Sequence, residues 1–535
     1  MAPTRRAVGF GALAAAALTT APRTALGAGG EAYSVSGKNG PYVKQVAGRS
    51  FGLGGGDGSL GLASDSANLG RYQAARLRMP HTEAKVAALL AQIDAKWPYA
   101  KGQPLQVHIL GVDYYNAYSL ADGSIVVAFG LLDQAQSDDE VAFVLAHELG
   151  HVRLGHFARQ SPAEARKGAV NSAAEFLVVS SALQAGVLNS SAVAAATQAA
   201  ATTDLLKFLT TVMVEPTHTR AQEDEADCIG YDLSQAAAFS ADSASAKVFD
   251  TIQADQQKHT AVIDTLNSQL KSQLSHAISN GGAIALITGS GGDLRTGLLQ
   301  GAGRLAIGVA ASRASEPPPQ HRPPEDRKRG MAEYSAAAYP EGAPLRDEQH
   351  AWLTAVHVTS EFAQAKLAVA AVAETKRARA DGRYPDASAA IQRARQTTFR
   401  NAPLVLNEAA RLSDDTGDTA SAEKLFLQAN ASPDQTVDGY VDHVRMLFRT
   451  QQYDRALAVA SEGVARFGND DKPFISLRIA INHAEDRTDD VEADLQRCQS
   501  YGIPDLTKDC QLAAGKSAKA AAQPSPSLPF GLPHL

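Results

Sequence analysis

Aromatic side chains make up only 6% of this sequence. Such residues are enriched in strands, so a sheet-dominated fold is not expected, and the long alanine-rich stretches point to helices. A surplus of positive charge is also missing. The net charge is -7, and the Lys and Arg residues are scattered rather than striped, which excludes nucleic acid as an expected partner. Cysteine is scarce, with three in the chain. Cys498 and Cys510 stand close enough to staple a helix end to the following loop in an oxidising compartment. Cys228 follows Asp227 in a helical stretch and reads as a small buried hydrophobe. What is present is length and apolar content: 535 residues, 44% of them hydrophobic, are enough for two or three folded units.

The beginning of the chain has the order of a signal peptide over residues 1–27. Arg5 and Arg6 precede an apolar stretch, and Ala25-Leu26-Gly27 suits cleavage before Ala28. The protein is therefore expected to be exported, to the periplasm or beyond. No cysteine near that point supports a lipid anchor. Residues 28–74 are a Gly/Ser-rich segment, and a compact unit is expected over residues 75–345. Within it, residues 83–93 carry helical periodicity, and residues 105–110 and 124–127 read as strands. Ser137 and Glu140 form a capping pattern ahead of an apolar run. Residues 176–203 carry no charge but are broken by Ser, Thr, Gln and Asn, which argues against an integral membrane span and for a helical hairpin, buried or covering the site. The prolines of residues 316–324 force a change of chain direction.

Residues 346–510 look repetitive. Ala387, Ala422, Ala456 and Val491 recur in similar blocks with a period of roughly 34, the period of tetratricopeptide repeats, and the segment resembles that family. Residues 511–535 read as a disordered tail.

The most informative run is His147-Glu148-Leu149-Gly150-His151. Residues four apart share a helix face, so both imidazoles can reach one ion, while Glu148 is turned toward a water in an open coordination position. That pattern suits a metal-assisted hydrolase with Glu148 as base. A metzincin would need Gly at 154 and His at 157; Leu154 and Phe157 exclude it and leave His156 as a helix-end group or one supporting a ligand. Downstream, Glu223 and Asp227 lie four apart in a helical context ending near Gly230. Glu223 is the expected third ligand, Asp227 a partner fixing a ligand histidine, and Glu225 points elsewhere.

The pairing of this motif with a later Glu-x-x-Ala-Asp resembles the gluzincin peptidases that include CAAX prenyl protease 1, HtpX and proteases of the BepA type. The resemblance implies an edge strand at Asn116-Ala117-Tyr118-Ser119-Leu120 that receives an extended substrate. It also places His321 near the metal, as oxyanion stabiliser or latent-state ligand, and gives Arg327 the task of orienting the acidic groups, although Arg322 stands where the family has Pro. The interval between Glu223 and His321 is long for that family and includes an apolar stretch over residues 281–308.

The expectation is thus a mainly α protein with a small β-sheet, a zincin-like metalloprotease domain followed by an α-solenoid of tetratricopeptide-like repeats. It would hold one Zn2+ per chain. Polypeptides would be its substrates, misfolded or misassembled envelope proteins among them, with envelope assembly proteins as further partners through the repeats. The competing readings are a binding or chaperone scaffold and a membrane-embedded prenyl-peptide protease.

Overall fold

Proline at the first helical position starts the helix Pro80–Asp94, where its missing N–H leaves no bond unmade, and five buried side chains hold that helix against the core. A computed structural model of the chain describes residues 33–47, 75–101, 104–120, 123–156, 198, 201–202, 205, 218–277, 322–342 and 351–515. The expected signal peptide, most of residues 28–74 and of 176–203, the stretch 281–308, His321, the border expected at 345/346 and residues 516–535 lie outside the described residues.

Among the described residues the strands form one sheet in the order β1 (Gln106–Leu110), β3 (Ser124–Ala128), β2 (Ala117–Ser119). The central strand β3 is buried at all five positions, pairs in parallel with β1 and antiparallel with β2. That leaves β2 at the edge. Asn116 directly precedes it, and its carbonyl accepts from Ala128 N at 2.9 Å.

The helix Asp138–Leu154 runs under this sheet and carries the His-Glu-x-x-His motif. It starts as the capping pattern predicts, with Ser137 Oγ accepting from Glu140 N at 3.2 Å. It ends at Gly155, whose φ of 67° allows the bonds Gly155 N to Val152 O and His156 N to His151 O. This left-handed cap folds His156 back beneath His151.

The helix Arg220–Ala236 opens with a Thr219/Gln222 capping box and bears Glu223 and Asp227. The sequence reading ended this helix near Gly230; the structure continues it to Ala236. Gly230 is a contact rather than a stop. A Cβ there would lie 3.1 Å from His147 N and 3.2 Å from its Cα, and one at Gly150 would lie 3.3 Å from Ala226 Cα. The two helices therefore cross with backbone against backbone. The helix Pro324–Ala338 begins where the proline run predicts a new direction, and residues 33–47 pack against it and against Arg220–Ala236.

From residue 351 onward the described chain is helical pairs: Ser360–Ala380 with Tyr384–Arg395, Pro403–Asp415 with Thr419–Asn430, Val437–Arg449 with Tyr453–Arg466, and Ile475–Ala484 with Thr488–Ser500. The second members begin with the spacing read from Ala387, Ala422, Ala456 and Val491, and all four of those residues are buried in the pairs. The turn within each pair holds one residue at positive φ: Gly382, Gly417, Gln451 and Asp486. Cys498 and Cys510 are bonded, but Cys510 lies on the helix Pro504–Ala513 rather than in a loop, and that helix carries order past the point where a tail was expected to begin. Cys228 is fully buried.

These pairs share a continuous apolar core with the sheet-bearing unit. Trp352 Nε1 donates to Leu132 O at 3.1 Å, Phe362 packs on Phe129, and Arg78 forks onto Asp434 at 2.5 and 2.9 Å. No helix among the described residues is long and apolar enough to cross a membrane.

The crossing gives a direct test. Gly230→Ala forces backbone apart at His147 and should destabilise the protein by about 1–3 kcal/mol in urea unfolding; an unchanged midpoint would show that the helices tolerate the extra carbon.

Candidate metal centre

His147 and His151 lie on one face of their helix with Nε2 atoms 3.1 Å apart. The neighbouring helix brings Glu223 to them: Oε2 is 3.5 Å from His147 Nε2 and Oε1 is 3.5 Å from His151 Nε2. All three side chains are buried, and among the described residues this is the one group of His, Cys, Asp and Glu whose donor atoms converge. The donor set suits zinc, and so does the spacing. Tetrahedral ligands about 2.0–2.1 Å from a zinc ion stand about 3.4 Å from one another.

Glu148 is also buried. Its Oε2 accepts from Ser119 Oγ at 2.9 Å, so a side chain of the edge strand holds the carboxylate in place. Asn116, His147 and Glu148 line a common cleft whose apolar wall includes Leu131, Phe143, Val144, Phe249 and Ile252.

Behind the histidines lies a second layer of contacts. His147 Nδ1 is 2.9 Å from Asp227 Oδ1, and Arg327 forks onto the same carboxylate at 3.0 and 2.5 Å. The structure brings Asp227 and Arg327 together beside His147. Burial pushes the Asp227 carboxyl up, but the Arg327 charge and the His147 contact outweigh it and hold the group near a pKa of about 2. His156 Nδ1 is 2.9 Å from His151 Nδ1, its Nε2 is 3.2 Å from Glu225 Oε2, and His218 stacks on His151 with centroids 3.8 Å apart.

Sequence reasoning missed several of these groups. Ser119 was read only as part of a strand, and Glu225 as pointing away; it faces away from the three donors but reaches His156. Arg322, which departs from the family's Pro, forks onto buried Asp224 at 2.8 and 3.0 Å. His218 had no signal. His156, read from the sequence as a helix-end or supporting group, is returned to the helix by the left-handed Gly155.

The two ligand imidazoles titrate oppositely in the metal-free protein. Burial opposes a proton on His147, but Asp227 and Glu223 outweigh it and push its pKa up to about 10. Burial, opposed only by Glu223, holds His151 well below the usual histidine range.

Comparison with known proteins bears on residues 80–319, which match the family model for Peptidase family M48. A 55-residue stretch is 44% identical to Metalloprotease LoiP and another alignment of 55 residues is 42% identical to Metalloprotease YcaL, both of Escherichia coli strain K12; each covers 10% of this chain and 21% of the relative. Over 129 residues the chain is 30% identical to a candidate beta-barrel assembly-enhancing protease of Vibrio cholerae, covering 24% of each. The chain thus spans about a fifth to a quarter of the length of the curated relatives it matches.

Two outcomes follow from the charges. Zinc must displace the proton from His147, which is held below its pKa, so acidification weakens binding: affinity should fall about tenfold per pH unit from pH 9 to pH 6. Calorimetry in buffers of different ionisation enthalpy should count about one proton released per zinc ion, and a flat profile would contradict the assignment. Arg327→Met leaves Asp227 buried without its cation and should destabilise the fold by about 3–5 kcal/mol in urea unfolding. A loss below 1 kcal/mol would mean that Asp227 is not held by that charge.

Proposed function

We propose that the chain, whose residues 80–319 match the model for Peptidase family M48, is a zinc-dependent metalloendopeptidase that holds one zinc ion through His147, His151 and Glu223. The observation that carries the reading is the meeting of three buried donors from two helices at 3.1–3.5 Å, with Glu148 lining the same cleft as His147. Zinc, when bound, supplies Lewis acidity that polarises a scissile carbonyl and makes water acidic enough to ionise near neutral pH.

The remaining steps belong to the chain's own residues. Glu148 takes the proton of the attacking water and delivers it to the leaving amine. Ser119 fixes one oxygen of that carboxylate. The edge strand β2, with Asn116 before it, takes an extended peptide by main-chain hydrogen bonds, and the apolar cleft wall receives a side chain next to the scissile bond. Asp227, braced by Arg327, fixes the ring of His147. His321 would act near the reacting carbonyl, as the resemblance in sequence implies.

We further propose export of the protein to the cell envelope and a tetratricopeptide-like recruiting role for the helix pairs. Misfolded or misassembled envelope polypeptides are the substrate class proposed. Support comes from the signal-peptide pattern, from the helix spacing and from similarity to a Vibrio cholerae relative named for beta-barrel assembly.

Glu148→Gln should lower casein hydrolysis by about 10²- to 10⁴-fold while one zinc ion per chain is retained. His147→Ala should lose the metal and the activity together; hydrolysis at the native rate in that variant would rule out the proposed chemistry.

A further inference from the structure

Residues 33–47 run along the acidic face of the helix Arg220–Ala236, and every acidic side chain of that helix other than Glu223 accepts a bond from them. Tyr33 Oη donates to Asp227 Oδ2 at 2.8 Å, Ser34 N to Asp224 Oδ2 at 2.8 Å, Tyr42 Oη to Glu225 Oε1 at 2.5 Å and Val43 N to Asp232 Oδ2 at 2.8 Å. Two of these carboxylates are the ones that stand behind the proposed zinc ligands. Asp227 faces His147 directly, and Glu225 faces His151 by way of His156.

The bonds divide each carboxylate between two tasks. Oδ2 of Asp227 takes Tyr33 and the Nε of Arg327, while Oδ1 takes Arg327 Nη2 and faces Nδ1 of His147. Oε1 of Glu225 takes Tyr42, while Oε2 faces Nε2 of His156. Acceptor oxygens aimed at ring nitrogens fix where the ring protons sit. Once zinc displaces the proton on Nε2, the one His147 keeps is on Nδ1, facing Asp227. His151 donates from Nδ1 to His156, which donates from Nε2 to Glu225. Both ligand histidines are left with a lone pair on Nε2, the atoms that converge with Glu223.

The seat of Tyr33 is built for its ring. A Cβ at Gly330 would collide with that ring, and Arg322 stands 5.3 Å from its centroid. Glycine in the middle of the helix Pro324–Ala338 lowers helix propensity, and here it opens the space the tyrosine fills.

We propose that Tyr33 and Tyr42 are positioning residues of the metal centre, each steadying one ligand histidine through a carboxylate. This rests on the zinc reading above. The segment that carries them belongs to the site although it lies more than a hundred residues before the motif and outside the span matched to the peptidase family.

The test uses the full-length chain with Tyr33→Phe, Tyr42→Phe, the double variant and Tyr99→Phe. Tyr99 is the control, because its hydroxyl donates to Val43 O at 2.8 Å and so holds the same segment through its main chain. Zinc affinity is read by chelator competition, and ligand geometry by the visible spectrum of the cobalt(II) form. Each of the Tyr33 and Tyr42 variants should bind zinc about tenfold more weakly and the double variant up to about 100-fold, with shifted cobalt bands. Phenylalanine keeps the ring over Gly330, so the melting temperature of the metal-free single variants should stay near native. Tyr99→Phe should match the native protein in affinity and spectrum. Native affinity and spectrum in the double variant would overturn the proposal, as would an equal loss in Tyr99→Phe, which would reduce the effect to loosening of the segment. A native protein that binds no zinc would sink the underlying function itself; a native protein that binds zinc, with unaltered variants, would sink this proposal alone.

Discussion

Two glycines set how near the motif helix and the Glu223 helix can come, and the site depends on that approach. Gly230 admits the backbone of His147, and Gly150 admits that of Ala226. With the axes pressed together at these points, a short glutamate side chain reaches across to two imidazoles. A wider crossing would move Glu223 away from both, since neither helix has slack: the motif helix is capped at Ser137 and Gly155, the other at Thr219. Precision in the ligand set comes from packing of main chain, which does not relax as side chains do.

The same closeness concentrates charge. Glu223, Asp224, Asp227 and Asp232 are all buried on one helix, an arrangement that would repel itself without partners. The molecule answers the three aspartates with donors from distant parts of the chain. Arg322 and Arg327 fork onto Asp224 and Asp227; Tyr334 and Tyr339 donate to Asp232, together with the amide of Val43. Burial outweighs the donors to Asp232 and pushes its pKa up to about 6.

Local features of this arrangement were legible in the sequence, and long-range ones were not. The capped helix, the face shared by His147 and His151, the spacing of Glu223 and Asp227 and the periodic helix pairs all follow from near-neighbour rules that act over a few residues. Resemblance supplied Arg327 and the edge strand. Gly230 was read as a terminator because glycine weakens a helix locally; only the partner helix reveals that the missing Cβ is needed for contact. Ser119 and Tyr33 are ordinary residues in their own segments, and their partners are fixed by the fold alone. Glu225 looked idle for the same reason, since the histidine it meets is carried back by a left-handed turn across the gap between helices.

The wide spread of these partners along the chain also orders events in time. Asp227 receives Tyr33 from 194 residues before it and Arg327 from 100 residues after it. During synthesis the ligands can meet before their supports do, because contacts between remote segments form late. A nascent chain therefore holds Asp227 without its cation until the helix Pro324–Ala338 has been made and docked, so the charge balance behind His147 is completed last.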